Sequence, residues 1–100
     1  MKVLVVNKSS HDFSDAKRFG EVVFLTEGRL PKYQVAQMIR LFNPAIEASA
    51  SDDYILVTGL TVAVASLCCL FVLKHGRLNL LIHEPKTNRY LERVVNFKED

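Results

Sequence analysis

The stretch that most constrains this chain runs from Tyr54 to Gly76, YILVTGLTVAVASLCCLFVLKHG, with no charged residue before Lys74. Its start, Tyr54 to Thr58, rich in β-branched residues, reads as a buried strand, Gly59 as a sharp turn, and the segment from Leu60 or Thr61 to His75 as a helix. Gly76 then ends the helix as a left-handed cap, with Lys74 and His75 placed to oppose the negative end of its dipole. An uncharged run from Tyr54 to Leu73 is also long enough to span a bilayer. The turn polarity of Thr58, Gly59 and Thr61 opposes that reading, as does the buried-strand pattern of Leu78 to Ile82, which needs this helix as its neighbour. The expectation is therefore a core strand and core helix, with no membrane association.

A strand followed directly by an apolar helix suggests a parallel α/β sheet, and the rest of the chain fits that pattern. Lys2 to Val6, KVLVV, is a short apolar run suited to a strand covered on both faces. It delivers the chain into a polar loop, Asn7 to Asp12. Phe13 to Phe19 is expected to form a short helical turn capped by Ser14 and stopped by Gly20. Glu21 to Thr26, EVVFLT, is a second strand, turned by Glu27-Gly28-Arg29. A helix is expected to open near Pro31, with Val35, Met38, Ile39, Phe42 and Ile46 as its apolar stripe. Pro44 should break or kink it, with Asn43 capping a further short turn, and Ser49 to Asp53 should be a polar connection. After the central strand and helix, Arg77 to His83 gives a fourth strand. A reversal at Glu84 to Asn88 leads to a fifth, Arg89 to Phe97, paired antiparallel to the fourth, and Lys98-Glu99-Asp100 forms a solvated tail. The predicted fold is a single α/β domain over residues 1–100. It has a small Rossmann-like sheet of about five strands, mainly parallel with a C-terminal antiparallel hairpin, and two main helices.

Composition narrows the function classes. The net charge is +2, from 13 basic and 11 acidic residues. That is well short of the dense basic face of nucleic-acid binders, so a nucleic-acid partner is not expected. Cys68 and Cys69 are adjacent on a helix, where neighbouring side chains diverge by about 100°, and they neither bridge nor chelate readily. They read as core residues in a reducing, cytoplasmic setting. The opening residues Met1 to Ser10 lack the apolar core of an export signal. Three scattered histidines give no zinc spacing, and no metal or cofactor is expected.

In open α/β sheets ligands bind outside the carboxyl ends of the strands. This rule selects the candidate ligand-binding residues Asn7, Lys8, Ser9 and Ser10 after the first strand, Thr26 and Arg29 after the second, and Thr58, Gly59 and Thr61 after the third. Thr61 is expected to cap the central helix, whose free amides form an anion-binding end. Neither the GxGxxG fingerprint nor the P-loop is present, so a plain capped turn competes with an anion site there. Ser10, His11 and Asp12 contain the residue types of a nucleophile, base and orienting acid. Side chains adjacent in a loop diverge, however, so no catalytic residue is assigned and a non-enzymatic role is favoured. His83 reads as a surface or interface histidine. Arg89 and Arg93 share a strand face about 13 Å apart and, with Lys86, suit an edge kept soluble by charge, with a contact to phosphate or RNA as the alternative.

The central helix is apolar in nearly every direction, whereas a two-layer monomer leaves one helix face wet. A homo-oligomer, a dimer first, is expected through Thr61 to Leu73, with Ala63, Ala65, Ser66 and Cys69 permitting close approach. The alternative is that residues 13–19 cover this helix within one chain.

Three segments, DAKRFGEVVFLTEGRL (Asp15 to Leu30), DDYILVTGLT (Asp52 to Thr61) and KHGRLNLLI (Lys74 to Ile82), together resemble small α/β proteins carried by bacteriophages and prophages. The group offers no catalytic motif to carry over. Phage genomes encode small oligomeric proteins that bind or degrade host nucleotide signals. The resemblance therefore implies an oligomeric binding protein for a small anionic or nucleotide-like ligand. The alternatives are an interaction module acting on a host protein, and a small nuclease or phosphodiesterase using His11 or Ser10.

Overall fold

The computed structural model describes residues 1–97. Five strands form one sheet in the order β2-β1-β3-β4-β5: β1 (Lys2–Val5), β2 (Glu21–Phe24), β3 (Tyr54–Leu56), β4 (Arg77–Glu84) and β5 (Arg89–Asn96). The β1–β2, β1–β3 and β3–β4 pairs are parallel, and β4–β5 is an antiparallel hairpin. This is the small, mainly parallel α/β sheet that the apolar runs predict. The tail at 98–100 lies outside the described residues.

The chain leaves β1 in one direction along the sheet to reach β2, then passes back over β1 to β3 and on to β4. Right-handed crossovers must then lie on opposite faces for these two directions. They do: a 3-10 turn at Ser14–Arg18 covers one face, and helices α1 (Val35–Glu47) and α2 (Thr61–His75) cover the other. The period-2 alternation of the strands divides the core accordingly. Leu4, Val6 and Ile55 pack under the helices against Met38, Phe42, Leu67 and Phe71. Val3, Val5 and Leu56 face the 3-10 turn with Phe13, Ala16, Leu81 and Tyr90.

Several local expectations are corrected. Ser14 does not cap the 3-10 turn. Phe13 holds the cap position without a side-chain bond, and Asp12 Oδ1 instead accepts the Ser14 N–H at 2.9 Å. Helix α1 opens at Val35 rather than near Pro31, so residues 31–34 lengthen the loop after β2; the Gln34 N–H bonds Pro31 O there. Pro44 sits inside α1, which continues to Glu47, so Asn43 caps nothing. Proline removes one helical bond, but the segment is held at its end by Lys74, whose Nζ donates to the carbonyls of Ile46, Glu47 and Ser49 at 2.9, 2.5 and 3.3 Å.

The connection 49–53 is only partly the polar surface segment expected of it. Asp53 is 1% exposed, and its carboxylate accepts the Lys2 and Ala50 backbone N–H groups at 2.8 and 2.9 Å. The Asn79 amide donates to Ser51 O and Asp53 O, tying the same turn to β4. A buried carboxylate with two backbone donors thus anchors the start of β1 beside β3.

Strand β5 is a sheet edge, and its exposed groups are already engaged over part of its length. The Phe97 N–H bonds Gly76 O next to the Arg77–Asn96 pair. The antiparallel alternation then turns the N–H and C=O groups of Tyr90, Glu92 and Val94 outward. Asp15 Oδ2 accepts the Tyr90 N–H at 2.8 Å, and Arg18 Nη2 donates to Tyr90 O at 2.6 Å. Arg93 Nη1 donates to Glu92 O at 2.7 Å, and Arg89 lies 3.6 Å from Asp15. These two arginines are therefore committed to blunting the edge.

Candidate functional site

The parallel strands β1 and β3 leave the sheet side by side at the point where the chain direction along the sheet reverses, and their following loops diverge there. Between them opens a cleft of about 370 Å³. Asn7, Lys8 and Ser9 from the loop after β1, Arg29 after β2, and Thr58 and Gly59 after β3 all line it. Lys32, Leu30 and His11 complete the wall.

The loops are joined from beneath. The Thr26 hydroxyl lies 2.6 Å from Val6 O and 2.9 Å from Asn7 Oδ1, which share its proton, and Asn7 Nδ2 donates to Gly28 O at 2.8 Å. The Lys8 N–H also bonds Thr26 O at 2.9 Å. Thr26 and the Asn7 amide therefore position the cleft, and Thr26 does not line it. Gly59, at φ 99°, shapes the third wall; a Cβ there would stand 3.0 Å from Val6 Cγ2. Thr61 is the first residue of α2 and does not cap it: Leu60 occupies the cap position with no side-chain bond. Thr61 lines a separate apolar groove beside Val64 and Ala65. Ser10 is exposed and lines none of the cavities described.

The charge of the cleft is one-sided. Lys8, Arg29 and Lys32 line it, and no carboxylate does. Glu27 stands outside, 4.0 Å from Lys8 Nζ in an exposed pair that solvent screens. The first amides of α2 add partial positive charge near Leu60, since only those of Ala63 and Val64 bond Leu60 O. Ser9 Oγ accepts the His11 backbone N–H at 3.3 Å. The cleft therefore gathers positive charge from three side chains and one helix start.

A second cleft, of about 250 Å³, opens on the other side of Thr58 and shares His11 with the first. Asp12, Phe13, His83, Asn88 and Tyr90 line it. His83 is exposed, as a surface or interface histidine is, and it also lines this cleft. Its Nε2 lies 2.9 Å from Asn88 Oδ1, and its ring packs at a tilt of 59° against Tyr90, 5.3 Å between centroids. The backbone N–H of Ser14 holds Asp12 below the usual carboxylate range, and burial pushes the Tyr90 hydroxyl up, helped by Asp12 and Asp15. Among the described residues no three His, Cys, Asp or Glu side chains are grouped to hold a metal ion.

A family model for phage Pam3 gp32-like proteins matches residues 1–97. The chain belongs to that family. The resemblance to phage proteins read from the three sequence segments is thereby shown, and the match spans both clefts. No curated protein and no solved structure matches the chain. Among the described residues, no helix of this phage Pam3 gp32-like protein is long and apolar enough to cross a membrane.

Sequence reasoning overlooked Lys32, because the helix was expected to open near Pro31, which made that lysine part of the helix rather than of the loop after β2. It weighed Asp12 only as an orienting acid beside Ser10 and His11, and left Asn88 and Tyr90 out of any site. The turn residues Thr87 and Asn88 gave a signal, since a β4–β5 reversal beside the carboxyl end of β3 must reach the same edge.

Proposed function

We propose that this phage protein is a non-enzymatic, oligomeric binding protein for a small anionic, nucleotide-like ligand, acting in the host cytoplasm to sequester a nucleotide signal. The observation that carries the reading is the cleft at the carboxyl edge, where Lys8, Arg29 and Lys32 converge with no carboxylate among the lining residues. Three cations and a helix start favour a phosphate over a carboxylate or a neutral group. The doubly wound sheet order supports the same location, because such sheets bind ligands at the reversal between their first and third strands.

The oligomeric part of the proposal rests on α2. The 13–19 segment packs on the opposite face of the sheet and leaves the outer surface of α2 bare. Leu73 is 81% exposed and Phe97 59%, and with Cys68, Cys69 and Val72 they line an apolar groove of about 430 Å³. An uncharged patch can meet its own copy across a two-fold axis, whereas a charged patch repels itself.

Thermal unfolding of the purified chain with and without a panel of nucleoside mono-, di- and triphosphates and cyclic nucleotides tests the binding reading. A midpoint that rises with ligand, and rises less in Arg29→Ala and Lys32→Ala, supports it. No shift with any member of the panel defeats it.

A further inference from the structure

The second cleft differs in chemistry from the first. Its walls carry two ring pairs: His11 with Phe13 at 6.2 Å between centroids, and His83 with Tyr90 at 5.3 Å. Tyr90 is 6% exposed, and its hydroxyl has no hydrogen-bond partner among the described residues. No fully buried side-chain polar atom among those residues lacks a partner, so this hydroxyl is not sealed from solvent, and Tyr90 lines the cavity. Asn88 Oδ1 is engaged by His83 Nε2, which leaves the Asn88 Nδ2 donor available. Asp12 accepts the Ser14 N–H through Oδ1 and places its carboxylate on the wall of this cleft. A carboxylate here repels a second phosphate and accepts from the N–H groups of a neutral ring.

We infer that the second cleft is a nucleobase subsite, so that the ligand is a nucleoside phosphate lying across Thr58, phosphate in the cationic cleft and base among the rings. The inference rests on the binding reading above and narrows it. His11 and Thr58 line both clefts, so the two lie side by side across a shared wall that a bound nucleotide would straddle. Ring stacking supplies affinity without selecting a base, whereas the Asp12 acceptor favours a base with N–H donors on its edge, as guanine has.

Titration calorimetry of the full chain with guanosine 5′-monophosphate and with ribose 5-phosphate separates the two levels of the claim. The nucleotide is expected to bind at least about tenfold tighter than the sugar phosphate, the lower end of what one stacked base contributes. His83→Ala and Asp12→Asn, both at exposed positions, should each erode that advantage while leaving ribose 5-phosphate affinity unchanged. Arg29→Ala should weaken both ligands. Equal binding of the two ligands by the parent chain, or nucleotide affinity untouched in both cleft variants, overturns the base subsite and leaves the anion site standing. Failure of both ligands to bind overturns the anion site as well.

Discussion

Gly59 joins the strand to the helix at the centre of the proposed site, and alanine there should destabilise the fold by about 3 kcal/mol. Two contributions add. A non-glycine residue at φ 99° costs about 1–3 kcal/mol in backbone strain. The new Cβ would also stand 3.0 Å from Cγ2 of Val6, which is 1% exposed and has no room to retreat, and such overpacking costs about 1–3 kcal/mol. Stiffening of the unfolded chain returns about 0.5 kcal/mol. Gly28 is the internal control: its φ is 87°, but nothing lies within 4 Å of an added Cβ, so Gly28→Ala should show the backbone term alone, about 1 kcal/mol. The chain has no tryptophan, so urea unfolding is best followed by far-UV circular dichroism. With a slope of about 1.5 kcal/mol per molar urea, Gly59→Ala should lower the midpoint by about 2 M and Gly28→Ala by less than 1 M. Equal midpoints for the two variants would refute the argument that contact with Val6 shapes the cleft wall.

Asp53→Ala removes the acceptor of two backbone N–H groups at the β1–β3 junction and should cost about 3 kcal/mol in urea unfolding, while Asp52→Ala, at the exposed neighbouring position, should change little. The proposed dimer predicts that Leu73→Asp sediments as a monomer where the parent chain sediments as a dimer, with the circular dichroism spectrum unchanged, because that side chain is exposed in the single chain. The Tyr90 N–H, followed by the Arg18 and Arg89 charges, holds Asp15 below the ordinary carboxylate range. A depressed folded-state value means that its stabilisation is present above the unfolded value and is lost as pH falls through the lower folded one. Asp15→Asn should therefore flatten the acid limb of the stability profile below about pH 4 and leave its shape near neutrality unchanged.

The fold was legible where hydrophobic period and punctuation agreed. Ile55-Leu56, Gly59, and the unbroken apolar run to Gly76 place β3 and α2 with boundaries that match at Thr61 and His75. Pro44 misled because local propensity predicts a break, whereas packing of Phe42 and Ile46 in the core, with Lys74 on the terminal carbonyls, carries α1 through it. The strand order could not be read from any strand, since it depends on which neighbours long crossovers reach. The cationic cleft was half legible: Lys8 and Arg29 follow from the rule about strand ends, but Lys32 needed the true start of α1. The role of Asp53 was hidden, because an aspartate in a polar run looks solvated until its two backbone donors are seen. The ring-lined cleft depends on His83 and Tyr90 facing one another across the hairpin, a pairing set by the β4–β5 register.

Amide chemical-shift mapping of the full chain during titration with guanosine 5′-monophosphate tests the central claim most directly. The account predicts saturable shifts concentrated in residues 7–12, 27–32 and 58–62, with a second group at 83–90. Shifts confined to the outer surface of α2 and the far end of β5, or no shifts at all, would contradict it.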